Sequence, residues 1–417
     1  MPALHPHVHL DALTPRYVTR FACAGARCED NCCTGWRVTV DHKTFVTYKA
    51  SAHPALRDRF AGSVNRVRSN ATPGAYATIG QDDASGECVF LEDRLCAIQR
   101  ELGIDKLSNT CSEYPRSQRQ TCDGVEQALT LSCPEAARQA LLSADAMDFV
   151  VHRAAFRKDA LSKVVRRQGW EEAQLRDVRD FCVQVMLSDG LALWQRLAVL
   201  GLFCERLDAA ERQRRAISAP ALIDEFTQMV TSGAAAAALE DVQPFHDAQA
   251  RLFFDLWLSR RSRRLSPHQR EVHRAVLDGL GLQPDDEGHA ATPSATDFTE
   301  RYSRGVRRLE AALEATPGLI RNYVVNEMFR EFFPFATQPT FVHFQRLLMR
   351  FGMVRFLLAA RCNTPDGTLP RPEELAATVQ VFCRRFQHDA QFSSRLDEAL
   401  TLSGWDRLEK LFRFLRS

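Results

Sequence analysis

Nine of the thirteen cysteines in this 417-residue chain fall within residues 23–133, and the other four are spread over the 284 positions that follow. At about 8 % cysteine a segment is expected to be held by disulfides or metal rather than by an ordinary core alone. The same segment reads as short irregular elements, and a core poor in long elements needs such cross-links. Met1–Arg20 carries Pro2, Pro6 and three alternating histidines (His5, His7, His9) but no apolar stretch of the kind a secretory signal requires. No run approaches the ~18 apolar residues of a membrane span. The expectation is therefore a cytoplasmic protein, where structural disulfides are rare and clustered thiols more often hold metal. The three histidines read as part of a frayed terminus.

The spacing narrows the chemistry. Cys23-x4-Cys28-x3-Cys32-Cys33 is followed by Gly35-Trp36, and then come Cys88-x7-Cys96, Cys111, Cys122 and Cys133. Neighbouring cysteines such as Cys32 and Cys33 close a disulfide only through a strained ring, yet each can offer a thiolate to a metal. Thiolates three to five residues apart on polar, glycine-containing turns suit tetrahedral zinc, and equally the irons of a cubane cluster. The absence of a C-x2-C pair weakens the zinc-ribbon reading, whereas iron–sulfur ligation tolerates irregular spacing. The C-x3-C-x2-C of radical S-adenosylmethionine enzymes is not matched, because Cys33 follows Cys32 directly. Cys122 reads as a turn residue outside the metal set. Cys182, Cys204 and Cys383 sit among apolar helical residues as small core side chains, and Cys362 at a helix end has no assigned role.

Two regimes follow along the chain. Residues 1–140 form a cysteine-rich module with some β content, for which strands are expected at Trp36–Asp41, Tyr76–Ile79, Cys88–Leu91 and Leu129–Leu131. Residues 141–417 read as all-helical. Leu187, Leu191, Trp194 and Ala198 make one helical stripe, and Phe341, Phe344, Leu347, Leu348, Phe351, Val354 and Leu358 a second. The stretch 283–297, with two prolines, a glycine, acids and small residues, reads as a loop or linker, and Asn363–Pro372 as a second break. The predicted fold is mainly α with a small α+β cysteine-rich metal-binding module at the N-terminus. The formal charge of +2 argues against a nucleic-acid partner. No feature sets the oligomeric state.

The motifs resemble a known family. Arg20-Phe21-x-Cys23-x-Gly25-x-x-Cys28-Glu29-Asp30-x-Cys32-Cys33-x-Gly35-Trp36 is similar to the opening of the flagellin lysine N-methylase family. So are Cys88-Val89-Phe90-Leu91-x4-Cys96-Ala97-Ile98-Gln99-x-Glu101-Leu102-Gly103, Leu107-Ser108-x-Thr110-Cys111-x-x-Tyr114-Pro115-Arg116 and Leu131-Ser132-Cys133-Pro134-Glu135. Asn322-Tyr323-Val324-Val325-Asn326 and Phe332-Phe333-Pro334-Phe335 look like the helical part of that family. The cysteine-rich half is also similar to a broader class of small domains named for zinc or iron chelation. The resemblance implies a bacterial enzyme that methylates lysine ε-amino groups of flagellin, with S-adenosylmethionine as methyl donor and an iron–sulfur cluster, 4Fe–4S in type. Eight cysteines fit its pattern: Cys23, Cys28, Cys32, Cys33, Cys88, Cys96, Cys111 and Cys133. They allow either two four-thiolate sites or one cluster with spare thiols.

Lysine methylation needs the neutral amine, since an ammonium of pKa ~10.4 has no lone pair to donate. A donor pocket is harder to find. Ala275-Val276-Leu277-Asp278-Gly279-Leu280-Gly281-Leu282 imitates a dinucleotide loop, but a polar helix start precedes it and no strand leads in, so a helix C-cap is expected. Asn322, Tyr323 and Asn326 are candidate cofactor-binding residues on an aromatic-rich helix, set against the plainer reading of an interhelical hydrogen bond. Tyr114 beside Cys111 reads as packing on the metal site. The competing function is non-enzymatic: a metal-binding or redox-sensing protein whose helical domain docks a protein partner.

Overall fold

The computed structural model describes residues 4–121, 124–162, 166–213, 218–258, 265–282, 295–335 and 338–416. It is mainly helical, with a small sheet region towards the N-terminus. The chain divides into two compact units: residues 1–139, 148–164 and 262–271 in one, and 140–147, 165–261 and 272–417 in the other. Cys122 and most of the stretch 283–297 lie outside the described residues.

The first unit contains all the strands among the described residues. These are β1 (His7–Pro15), β2 (Thr39–Val40), β3 (Val64–Arg66), β4 (Ala77–Ile79), β5 (Leu91–Glu92), β6 (Leu95–Cys96), β7 (Arg116–Thr121), β8 (Gly124–Leu129) and β9 (Phe149–Arg157). One sheet runs β7-β8-β1-β9, so β1 is an inner strand. It pairs antiparallel with β9 from His7↔Arg157 to Pro15↔Phe149 and parallel with β8 at Ala12↔Val125. The frayed terminus expected from the sequence is therefore corrected. His7 and His9 are strand residues, and His5 is buried with its Nε2 3.0 Å from the Thr44 hydroxyl. A β1 of alternating polar and apolar residues gains its order from partners more than a hundred positions away.

The second sheet, β2-β4-β3, lies against a core of Tyr48, Leu56, Phe60, Val64, Phe90 and Ile98. Tyr48 and Phe60 stack with ring centroids 4.2 Å apart. Cys88 belongs to this core, with Cys33, Cys96 and Cys111 packed against it. All four expected strands shrink, Tyr76–Ile79 by Tyr76 alone and the other three further. Trp36–Asp41 keeps only Thr39–Val40, Cys88–Leu91 contributes only Leu91, and Leu129–Leu131 only Leu129. The lost positions turn into loops that carry cysteines, and period-two alternation alone does not see that.

In the second unit the helix Thr340–Cys362 is buried on nearly every side, as expected of an element enclosed by others. The expected stripe from Phe341 to Leu358 lies on it, with Phe341 half-buried and the rest buried. Two neighbours approach its C-terminal end at glycines: a Cβ on Gly279 would sit 1.8 Å from the Ala360 carbonyl oxygen, and one on Gly305 2.4 Å from that of Ala359. The other stripe is split between two helices, because Glu172–Leu187 ends and Leu193–Arg212 begins around an extended Ser188 and a left-handed Gly190. Of the two glycines after Ala275, Gly279 lies within helix Pro267–Leu280 and Gly281 closes it. Gly281 takes φ +71°, its N–H bonds to the Asp278 carbonyl, and the Leu282 N–H bonds to the Leu277 carbonyl, so the helix C-cap expected there is present and is closed by two bonds. Among the described residues no helix is long and apolar enough to cross a membrane.

Candidate functional site

All eight cysteines of the motif lie in the first unit, and none is in a disulfide. Local structure places several where backbone N–H groups can meet sulfur. Cys96 is the residue before helix Ala97–Leu102, and the N–H groups of Ile98 and Gln99 bond towards its thiol. Cys133 stands in the same relation to helix Pro134–Leu142, facing the N–H groups of Glu135 and Ala136. Cys111 lies in the first turn of Asn109–Glu113, which Ser108 caps by accepting from the Cys111 N–H at 3.3 Å. Such positions favour an anionic sulfur.

Burial works the other way. It pushes the thiols up, Cys88 to about 11 and Cys111 and Cys133 to about 12. Mutual repulsion adds to this, and its pattern shows which thiols are neighbours. Cys33 is raised first by its contact with the Cys32 thiol, then by burial, and also by Cys88 and Cys96. Cys111 responds to Cys96, Cys88 and Cys32. Cys133 responds to Cys28 and Cys23, and Cys28 to Cys32. Cys33, Cys88, Cys96 and Cys111 share one core, with Cys32 against Cys33, while Cys23, Cys28 and Cys133 form a second group that Cys28 links to Cys32. Among the described residues no three His, Cys, Asp or Glu side chains converge as ligands of a single metal ion would.

The surrounding residues brace these loops. Asp93 and Arg94 are both left-handed, which makes a two-residue turn between β5 and β6 and sets Cys96 opposite Leu91. The Arg94 side chain then donates to the carbonyls of Ala26, at 2.8 Å, and Cys28, clamping the first cysteine loop. Arg138 bridges Glu29 and Glu135. Asp30 is buried and accepts from Gln269 at 3.0 Å. The Cys88 N–H donates to the Cys33 carbonyl at 2.6 Å, joining the two cysteine segments. Trp36 packs on Tyr114 with centroids 5.4 Å apart, and the Tyr114 hydroxyl meets Ser132 at 3.1 Å. Arg94 and Gln269 carry no sequence signal, since each acts through a contact distant along the chain.

Asn322, Tyr323 and Asn326 lie in the second unit, fully buried on helix Leu319–Glu331. Asn322 donates to the carbonyls of Ala140, at 3.0 Å, and Ser143, at 3.4 Å, as an interelement tie does. The Tyr323 hydroxyl is buried without a hydrogen-bond partner among the described residues. The four other described cysteines, Cys182, Cys204, Cys362 and Cys383, are buried side chains of the helical unit.

The family model of the FliB lysine N-methylase C-terminal domain matches residues 179–414. Similar proteins include the lysine-N-methylases of Salmonella typhimurium (strain LT2) and Salmonella choleraesuis (strain SC-B67), each 38 % identical over 134 residues, or 32 % of this chain and 33 % of theirs. The flagellar biosynthetic protein FliU of Salmonella muenchen is 37 % identical over 134 residues, 32 % of this chain and 78 % of its own length. The match thus spans about one third of the two lysine-N-methylases. No solved structure matches. With the family model laid along more than half of its residues, the chain belongs to the FliB lysine N-methylase family.

Proposed function

We propose that this chain is a cytoplasmic protein-lysine N-methyltransferase that acts on flagellin with S-adenosylmethionine as methyl donor. The observation that carries the reading is the family match along 179–414, supported by relatives named lysine-N-methylase and, for flagellar context, FliU. The reaction transfers a methyl group from sulfonium to nitrogen. The lone pair of a neutral lysine amine forms the new C–N bond while the C–S bond breaks and its electron pair stays on sulfur. The amine gives up a proton, so the protein must desolvate the lysine or present a base, and it must hold amine, methyl and sulfur in line.

The cysteine-rich unit fits a thiolate-bound iron–sulfur cluster by the chemistry of its donors. Buried thiols lie within mutual repulsion and several face backbone N–H groups, an arrangement that a cationic metal core would stabilise. Four of Cys32, Cys33, Cys88, Cys96 and Cys111 would hold it. Bound there, the cluster would supply a redox-active cross-link between short elements.

Protein purified without oxygen and incubated with methyl-labelled S-adenosylmethionine and flagellin is expected to place label on flagellin lysines, read by peptide mass spectrometry. Flagellin left unlabelled by folded protein would overturn the reading. Iron and sulfide in the same preparation are expected; zinc alone would remove the cluster.

A further inference from the structure

The helical unit contains a cleft of about 760 Å³, within the ~300–1,000 Å³ typical of small-molecule sites. Its walls are helix Leu193–Arg212, the start of helix Thr340–Cys362 and the turn that precedes helix Leu408–Leu415. Two of its carboxylates are already committed, Asp208 to a neighbouring wall and Glu211 to the segment before helix Glu172–Leu187. Asp208 is buried and accepts from the Thr340 N–H at 2.8 Å and hydroxyl at 2.7 Å. Glu211 accepts from Arg167 Nε at 2.7 Å and Trp170 Nε1 at 2.8 Å. Gln345 secures the third wall by donating to the Asp406 carbonyl at 2.6 Å. A site braced in this way needs little reorganisation to bind.

What remains unpaired in the cleft has both signs of charge. The carboxylates of Glu205 and Asp406 and the guanidinium of Arg407 line it, and these side chains make no hydrogen bond or ion pair among the described residues. Arg212 also lines it, with its Nε donating to the Asp208 carbonyl at 3.3 Å. Phe341 and Val342 add a half-buried apolar face.

We infer that this cleft binds the methyl donor, a zwitterionic sulfonium nucleoside, S-adenosylmethionine. The inference rests on the methyltransferase reading and gives that reading the donor site which the sequence motifs lack. Each part of the ligand has a counterpart. The base is a flat apolar surface for Phe341 and Val342. The ribose diol and the α-ammonium are hydrogen-bond donors that seek carboxylates, and Glu205 and Asp406 supply two. The α-carboxylate seeks a guanidinium fork, which Arg407 offers. A substrate lysine fits less well: it brings one positive charge on a thin methylene stem, leaves Arg407 unmatched and fills little of the volume.

The test uses the full chain, calorimetric titration with S-adenosylhomocysteine, and the variants E205Q, D406N and R407A. All three positions are at least partly exposed, so the fold is expected to survive, which circular dichroism checks. Each variant is expected to weaken binding about tenfold, the usual effect of losing one hydrogen bond to a charged group. In the methylation assay the KM for donor rises while kcat is largely kept. Unchanged donor affinity in all three variants would overturn the cleft and leave the methyltransferase reading standing, as would a rise confined to the KM for flagellin. Folded wild-type protein with no affinity for S-adenosylhomocysteine or S-adenosylmethionine would overturn that reading, and the cleft with it.

Discussion

His343 shows how a single side chain ties the helical unit to pH. It is buried near the start of helix Thr340–Cys362, its Nδ1 lies 3.1 Å from the Pro334 carbonyl, and its ring packs on Phe333. Burial is the main influence and lowers its pKa to about 4; Glu331 raises it and Arg350 and Arg346 lower it. The folded protein therefore keeps this ring neutral where the unfolded chain, near 6.5, takes up a proton. Between those values the unfolded state binds more protons, so stability rises with pH through the window and falls as pH drops from 6.5 towards 4. The loss amounts to about 3 kcal/mol for one such histidine when the titration is complete. His273, also lowered to about 4 by burial and by Arg385, adds to the same slope. Urea midpoints measured from pH 7 to 4 check this, with His343→Gln expected to flatten the dependence. A slope unchanged in that variant would remove His343 as its source. The motif thiols are legible at this scale because each is a cysteine at a family spacing, whereas Arg94 is not, since its value lies in reaching the Ala26 and Cys28 carbonyls.

At the scale of elements, legibility follows the distance over which an element finds its partners. Helix Thr340–Cys362 announces itself because a 3.6-residue stripe is local information and needs no partner to be read. Strand β1 does not, since HVHLDALTP acquires its meaning only from β8 and β9. The apparent stripe from Leu187 to Ala198 misleads for the opposite reason: its period continues through Ser188-Asp189-Gly190, and the turn signal is the stronger one. The pairing makes β1 a testable element. Ala12 is fully buried with Val125 and Phe156, on the strand that joins β8 to β9. Ala12→Glu places a charge there without a partner, and a loss of about 3 kcal/mol or more is expected. Hydrogen exchange should quicken along β1, β8 and β9 together. Exchange confined to the mutated strand would mean that β1 is not the joint of that sheet.

For the molecule as a whole, the two units differ in what can hold them. The helical unit has a long buried helix, wrapped by others, whose apolar area stabilises it directly. In the cysteine-rich unit, strands of two or three residues and helices of five or six surround the thiols, and Cys88 is itself part of the core. Elements this short contribute little stability of their own, since helix nucleation alone is unfavourable. If a metal centre links Cys32, Cys33, Cys88, Cys96 and Cys111, its binding free energy is folding free energy for that unit. Stripping the metal with chelator and oxidant is then expected to speed amide exchange across residues 77–129 by orders of magnitude, while residues 340–362 stay protected. Cys88→Ser should reproduce the effect without chelator, because it removes one thiolate from the set and leaves a similar volume. Cys182→Ser, altering a buried thiol of the helical unit, should leave both the metal content and the exchange of residues 77–129 unchanged. Equal protection of residues 77–129 before and after stripping would mean that the short elements stand on their apolar core alone, with the thiols as passengers in it. The two variants separate a thiol that carries the fold through a metal from one that merely fills space.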